Sequence, residues 1–176
     1  SSPWTVTVDG AAPTISISGV SDGGIYATPV SAQVSVSDAH PASTVILLNG
    51  LSYVSGTSIS ADGRYTLVVI ATDQAGNRAQ RSLSFEVDRL APSVNFVFPA
   101  NLAVINAAAT EVRIQTEAAA TLQLLRGTQQ YQSTASATGL AVFASVALNE
   151  GSNVLRATAV DPAGNASAPA EITVIR

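Results

Sequence analysis

Residues 65–77, Tyr-Thr-Leu-Val-Val-Ile-Ala-Thr-Asp-Gln-Ala-Gly-Asn, contain the pattern that decides the fold. Every second residue from Tyr65 to Ala71 is apolar, and a period of two is typical of a β-strand with one buried face. The next five residues, Asp73 to Asn77, combine a glycine that accepts positive φ with Asp and Asn side chains that stabilise turns. This stretch therefore predicts a strand that ends in a tight turn.

The turn sequence recurs as Asp161-Pro-Ala-Gly-Asn165, 88 residues later, and this marks an internal repeat. Earlier in the repeat, three further matches have offsets of 77 to 79 residues: Ala12-Pro13-Thr14 with Ala91-Pro92-Ser93, residues 44–50 with residues 121–127, and Tyr53 with Tyr131. The increase in offset after Tyr131 places about ten extra residues in the second copy, and residues 133–139 are their natural position.

The repeat predicts two domains, residues 11–89 and 90–176. Residues 1–10 are predicted to end a preceding repeat, because the alternating stretch that ends at Asp9 resembles residues 84–88. Turn residues separate the alternating segments at intervals of about 8–12 residues, as in a β-sandwich, and no segment has a helical period. The predicted strands are 14–18, 30–37, 44–49, 51–54, 57–60, 64–72 and 80–87, then 93–98, 110–116, 120–126, 128–133, 140–148, 152–160 and 170–175.

Composition excludes several classes of function. The chain has a net charge of −4 and no lysine, and its arginines are scattered singly, so we expect no nucleic-acid or anionic-membrane partner. It has no cysteine, which excludes disulfides. The longest apolar run, residues 67–71, is too short to span a bilayer, so no membrane insertion is expected.

Two motifs resemble known families. Residues 62–67, Asp-Gly-Arg-Tyr-Thr-Leu, resemble the tyrosine corner of immunoglobulin domains, with Leu67 at the position of the second core cysteine. Asn153 stands at the Tyr65 position of the second copy, so that corner is lost or altered. Residues 149–165, with a Glu-Gly-x-Asn turn, a strand and Asp-Pro-Ala-Gly-Asn, resemble the bacterial Ig-like repeats of large adhesins and other exported proteins.

This resemblance implies an all-β fold of two tandem immunoglobulin-like Greek-key β-sandwiches without disulfides, in an elongated arrangement. It also implies a location outside the cell or on the bacterial cell surface. Many such repeats are spacers, and some bind calcium at their junctions.

Two interpretations of the acidic turns remain open. The favoured one is structural, with hairpin turns built from Asp73, Gly76, Asn77, Asp161, Gly164 and Asn165. The other is an interdomain calcium ion, since calcium prefers six to eight oxygen ligands. Its candidate ligands are Asp22, Asp62, Asp88 and Asp161. Against it, Arg89 follows Asp88 directly and supplies a neutralising charge. No other cofactor is expected.

Catalysis is not expected. His40 is the only histidine, and no serine has a Gly-x-Ser-x-Gly context. The leading hypothesis is a non-catalytic stalk that is monomeric as a fragment and contacts neighbouring repeats of its own chain. The alternatives are an adhesive or carbohydrate-binding module for a host or cell-surface protein or glycan, with residues 133–139 as the binding insertion, and accessory domains of an exported hydrolase.

Overall fold

The computed structural model describes residues 8–176, which form strands joined by turns and contain no helix. The chain divides into two compact units, residues 1–88 (unit 1) and 89–176 (unit 2). The division lies one residue before the predicted boundary. The proposed end of a preceding repeat, residues 1–10, falls mostly outside the described residues and stays a prediction.

The described part of unit 1, residues 8–88, contains nine strands in two layers. They are β1 (Thr14–Ser18), β2 (Gly24–Tyr26), β3 (Val30–Ser31), β4 (Gln33–Ser37), β5 (Pro41–Leu48), β6 (Leu51–Ser52), β7 (Ser58–Ile59), β8 (Gly63–Asp73) and β9 (Arg78–Val87). One layer is a five-stranded sheet of order β2-β9-β8-β5-β6, and the other consists of the pairs β1–β4 and β3–β7. The core joins residues of both layers, including Leu67, Val69 and Phe85 with Ile17 and Val34.

Unit 2 repeats this plan with eight strands. They are β10 (Asn95–Phe98), β11 (Ala103–Val104), β12 (Ala109–Gln115), β13 (Thr121–Arg126), β14 (Gln129–Thr134), β15 (Leu140–Ala147), β16 (Ser152–Val160) and β17 (Ala170–Ile175). The sheets have the orders β11-β17-β16-β13-β14 and β10-β12-β15. The all-β, Ig-like fold class predicted from the sequence is confirmed.

Two short strands were absent from the predicted set. β2 pairs in parallel with β9, and β11 pairs in parallel with β17. Segments of two or three residues are too short to display alternation, so no periodic signal marks them. The predicted strand 30–37 is also interrupted, because the fully buried Ala32 separates β3 from β4 and its amide bonds the hydroxyl of Tyr53.

Strand register corrects one match of the internal repeat. Ile46 pairs with Val69 in unit 1, and Leu124 pairs with Ala157 in unit 2. Val69 and Ala157 precede their turns by the same distance, so Ile46 corresponds to Leu124, an offset of 78. The sequence match of residues 44–50 with 121–127 is therefore wrong by one position. Such a slip exchanges the two faces of a strand.

The extra residues of unit 2 lengthen its strands. β14 pairs with β13 over its full six residues, and β15 pairs with β12. In unit 1, β6 pairs with β5 only at Leu47 and Leu48, and β7 pairs with the short β3. Only residues 135–139 of the predicted insertion remain as a turn between β14 and β15.

Candidate functional site

The two Asp-x-Ala-Gly-Asn segments form the same turn. In unit 1, the Asn77 amide donates to Asp73 Oδ1 at 2.8 Å, and Asn77 Nδ2 donates to Asp73 Oδ2 at 2.7 Å. In unit 2, Asn165 makes the same two bonds to Asp161, both at 2.8 Å. The glycine between them has a φ of 93° at Gly76 and 95° at Gly164, which is why this position favours glycine.

Asp73 is almost completely buried by its turn. Burial acts to raise the pKa of its carboxyl group, but hydrogen bonds from Asn77, Gly76 and Ala75 favour the charged form more strongly. The pKa of Asp73 therefore lies below its ordinary value. The carboxylate is stabilised by amide donors of its own turn.

Asn77 also ties the turn to the incoming chain of unit 1. Its Nδ2 group donates to the carbonyl oxygen of Asp9 at 3.0 Å and to that of Ala11 at 3.3 Å. One amide group thus joins the β8–β9 turn to the segment that precedes β1. The turn fixes the point at which the polypeptide enters the sandwich.

An acidic group surrounds this point in unit 1. Carboxylate oxygens of Asp9, Asp38 and Asp73 lie within 4.8 Å of one another. Each acid already has a protein donor, since Asp9 accepts from the Ala11 amide and Asp38 accepts from the His40 amide. The His40 imidazole lies 3.4 Å from Asp9 Oδ2. Each of the three acids therefore accepts a hydrogen bond from a neighbouring amide of unit 1.

The predicted calcium ligands do not coincide with this group. Asp22 Oδ1 accepts from the Ser84 amide at 2.7 Å, and neither Asp22 nor Asp62 belongs to a group of three acids among the described residues. Asp88 is the last residue of unit 1, and Asp161 lies in unit 2, where its carboxylate is within 4.8 Å of that of Glu117.

Sequence reasoning missed Asp9, Asp38 and Glu117. The signal was present in the repeat, because Asp9 and Asp88, and likewise Asp38 and Glu117, are separated by 79 residues. That spacing matches the Ala-Pro match that follows Asp9 and Asp88, and it identifies an acid at equivalent places in both copies.

The two units form the same corner with different side chains. Tyr65 donates its hydroxyl to the carbonyl of Ala61 at 2.7 Å, as in the tyrosine corner that it resembles. Asn153 in unit 2 donates to the carbonyl of Asn149 at 2.8 Å and accepts from the Asn149 amide at 2.8 Å. In each unit the corner residue bonds the backbone of the residue four positions before it, so the corner of unit 2 is altered and not lost.

Tyr53 and Tyr131 occupy equivalent positions, and the hydroxyl of each accepts a hydrogen bond from a backbone amide of its own unit. The Tyr53 hydroxyl donates to the carbonyl of Thr57 and accepts from the Ala32 amide. The Tyr131 hydroxyl accepts from the amide of Ala147 in the opposite sheet of unit 2. Both phenols join backbone segments within their own unit.

A shallow cavity of about 300 Å³ opens beside β2, β8 and β9 of unit 1. Its polar side chains are paired with one another, Arg64 with Glu86 at 3.1 Å and Thr66 with Ser84 at 3.3 Å. His40, by contrast, lies among the acids at the other end of β8. The lining of this cavity contains no histidine.

Comparisons with known proteins define the class. Residues 8–89 match the family model described as bacterial Ig-like domain. This part of the chain is similar to that family, and unit 2 repeats the sheet order of unit 1. No curated protein matches the chain. Within residues 8–176, no helix has the length and hydropathy needed to cross a membrane.

Several solved structures are similar to this chain at low identity. The fibronectin(III)-like modules of CbhA from Clostridium thermocellum are 16% identical, with a TM-score of 0.48 and coverage of 92% of this chain and 93% of that one. A tetra-tandem repeat from the extending region of a large adhesion protein is 19% identical, with a TM-score of 0.47 and coverage of 93% and 49%. The D00-D0 domain of intimin is 11% identical, with a TM-score of 0.42 and coverage of 93% and 100%.

Proposed function

We propose that the two units are non-catalytic spacer repeats in the stalk of a bacterial cell-surface or secreted protein, an adhesin. The observation that carries this proposal is the shared geometry of the turn in both copies. Asp73–Asn77 and Asp161–Asn165 repeat the same bonds to within about 0.1 Å. A domain whose turn keeps the same geometry in both copies, while its surface residues differ, suits a repeat that adds length to a stalk.

The connection between the units supports a spacer role. β9 ends at Val87 and β10 begins at Asn95, so residues 88–94 make the whole connection. Pro92 lies within it, fixes its own φ and restricts the residue before it. A short connection that contains proline restricts the conformations available to the chain between two domains.

A distance measurement tests this proposal. Because the chain has no cysteine, the exposed Ser16 and Ser145 accept spin labels after substitution by cysteine, one in each unit. A spacer predicts a single narrow distance distribution. The control is the same labelled chain with a flexible Gly-Ser insertion after Arg89, which should broaden the distribution. Equal widths in the two proteins would contradict the proposal.

A glycan array separates this role from the adhesive alternative. The spacer proposal predicts no binding by the 176-residue chain at any glycan. Binding that disappears when residues 133–139 are shortened to a tight turn would support a carbohydrate-binding module instead. The flanking sequence of the parent gene tests the third class, because a neighbouring hydrolase domain would make these units its accessory domains.

The acidic turns have a role in this proposal that needs no metal. Asn77 holds the incoming chain against the turn, and Asp73 holds Asn77. Calcium bound by the acids near this point is the alternative. It would add stiffness by bridging carboxylates whose present donors are backbone amides and His40.

A further inference from the structure

In the described part of unit 1, one edge has no full-length strand like the one that covers its counterpart in unit 2. Leu47 and Leu48 are the only β5 residues in register with β6, whereas all of β13 is paired with β14. All side chains from Pro41 to Val45 are exposed. We call β5 residues 41–46 together with residues 51–54 the open edge.

Within residues 8–176, part of the outward backbone of the open edge has no strand beside it. The Asn49 amide bonds the Thr66 carbonyl, so odd-numbered residues of β5 face β8 and even-numbered ones face away. The Ile46 carbonyl, on the outward side, accepts from the Tyr53 amide. Beyond that bond the chain leaves β5, and no strand among residues 8–176 pairs with the outward side of Thr44.

The open edge is apolar where the covered edge is polar. Val45, Leu51 and Val54 are 46%, 75% and 74% exposed. At the offset of 78 fixed by strand register, their counterparts in unit 2 are all glutamines. They are Gln123, Gln129 and Gln132. Exposed apolar residues that cluster on one edge mark an interaction surface.

The three apolar residues share one hairpin. Leu48 pairs with Leu51 and Leu47 with Ser52, and two further steps of this register place Val54 opposite Val45, on the other face of the hairpin from Leu51. Gln123 pairs with Gln132 at the same place in unit 2. The two hairpins therefore present the same positions to solvent with opposite polarity.

Charge indicates what covers the open edge. Residues 39–61 contain no Asp, Glu, Lys or Arg, although the chain as a whole has a net charge of −4. Natural edge strands are protected from pairing by charged side chains, prolines or bulges, and this one has only Pro41 and the bulge after it. Two copies of this acidic chain meet there without opposing like charges, and an apolar edge is complementary to itself.

We infer that the open edge of unit 1 binds the open edge of a second copy of this chain. The two edges meet antiparallel at Thr44 alone, because Tyr53 and Val54 already lie beside Ile46 and Val45 on the outward side of β5, and Val45, Leu51 and Val54 lose solvent exposure. The bulge between Pro41 and Ser43 limits the pairing on the other side of Thr44. Small interfaces give weak or transient association, so a monomer is expected in dilute solution. On a surface that carries many stalks, this contact would join them side by side.

Sedimentation equilibrium of the whole chain tests the inference, over concentrations from about 10 μM to about 1 mM. The mass should rise from the 17.8 kDa of one chain towards twice that value. A triple variant, Val45→Gln with Leu51→Gln and Val54→Gln, gives unit 1 the residues of unit 2 and should remain monomeric throughout. The matched control removes three exposed apolar residues of unit 2, by Val97→Gln with Val104→Gln and Val154→Gln, and should associate like the parent.

A charge exchange at Thr44 tests the symmetry. Thr44→Lys alone and Thr44→Glu alone should each abolish association, because equal charges then face each other across the pair. An equimolar mixture of the two variants should restore it. A parent chain that stays at 17.8 kDa at the highest concentration would overturn the inference, and so would association that survives the triple variant or a mixture that fails to associate.

Discussion

Units 1 and 2 have the same hairpin at the same side of the same sheet, but the strands around and after it differ in length. In unit 2, β14 and β15 continue for six and eight residues and close that side of the sandwich. In unit 1, β6 and β7 have two residues each. Thr44 is exposed, while Leu122 at the equivalent position is fully buried.

This difference shows how a repeat can keep its connectivity while its stability is redistributed. The turn and the corner are preserved in function in both units, because each satisfies backbone groups that would otherwise be unpaired. The side of the sandwich formed by β6 and β7 in unit 1, and by β14 and β15 in unit 2, varies in strand length. Strands there can shorten because water can bond the backbone groups of the edge that they uncover. Unit 2 consequently has the larger set of fully buried apolar side chains.

The largest expected effect comes from matched core truncations. Leu124→Ala removes a fully buried side chain and should cost unit 2 about 2–5 kcal/mol. Ile46→Ala, at the equivalent position in unit 1, removes a partly exposed side chain and should cost about 1–2 kcal/mol. Urea denaturation followed by residue-resolved NMR reports each unit separately. Equal losses would show that the two cores are closed to the same degree.

The corners should differ in the next largest effect. Asn153→Ala removes bonds to both backbone groups of Asn149 from a buried site and should cost about 1–3 kcal/mol. Tyr65→Phe removes one hydroxyl bond and leaves the ring stacked on Phe85, so it should cost about 0.5–1.5 kcal/mol. The same NMR denaturation measures both variants. A greater loss from Tyr65→Phe would contradict the assignment of Asn153 as the corner residue.

Acid should weaken unit 1 through Asp73. The pKa of this carboxyl is lowered in the folded state, so its contribution to stability is complete above its unfolded value of about 3.9. That contribution is lost as pH falls through the folded pKa. Thermal melts from neutral pH to about pH 3 should therefore show a smaller pH dependence for Asp73→Asn than for the parent. Glu150→Gln, at an exposed acid of unit 2, is the control and should keep the parent's dependence.

Calcium should have the smallest effect. The acids near the turn already accept hydrogen bonds from the protein, so melts in EDTA and in millimolar calcium should superimpose. A ligand at a hundredfold excess over its Kd would stabilise the fold by about 2.7 kcal/mol. The melting temperature would then rise by roughly 4–8 °C. Such a rise, abolished by Asp73→Ala or Asp161→Ala, would establish a metal site.

Sequence alone predicted the fold because its signals are local. Alternation from Tyr65 to Ala71 and the Asp–Asn turns are each encoded within a few residues, and their repetition located both units. The offset at Thr44 failed because matching letters, Thr with Thr121, carry no information on which face each side chain occupies. Only strand pairing shows that Leu122 is the residue of unit 2 equivalent to Thr44 of unit 1.

The candidate site was less predictable for a different reason. Asp22 and Asp62 were proposed as ligands from general loop positions, which carry no information on hydrogen bonds such as the one that Asp22 accepts from the Ser84 amide. The acidic group of unit 1 depends on Asp9 and Asp38, which lie far apart in sequence from Asp73. Asn153 forms the corner of unit 2 with its side-chain amide, and the sequence pattern for this corner specifies a tyrosine, so the pattern did not identify it.

Amide hydrogen exchange at Thr44 and Leu122 tests the contrast between the two units most directly. The Thr44 amide faces the uncovered side of β5, whereas the Leu122 amide faces β14, where Leu122 is paired with Ser133. In dilute solution, where the chain is monomeric, Thr44 should exchange nearly as fast as an unprotected amide and Leu122 should exchange only through opening of unit 2. Equal protection at the two amides would contradict an open edge in unit 1.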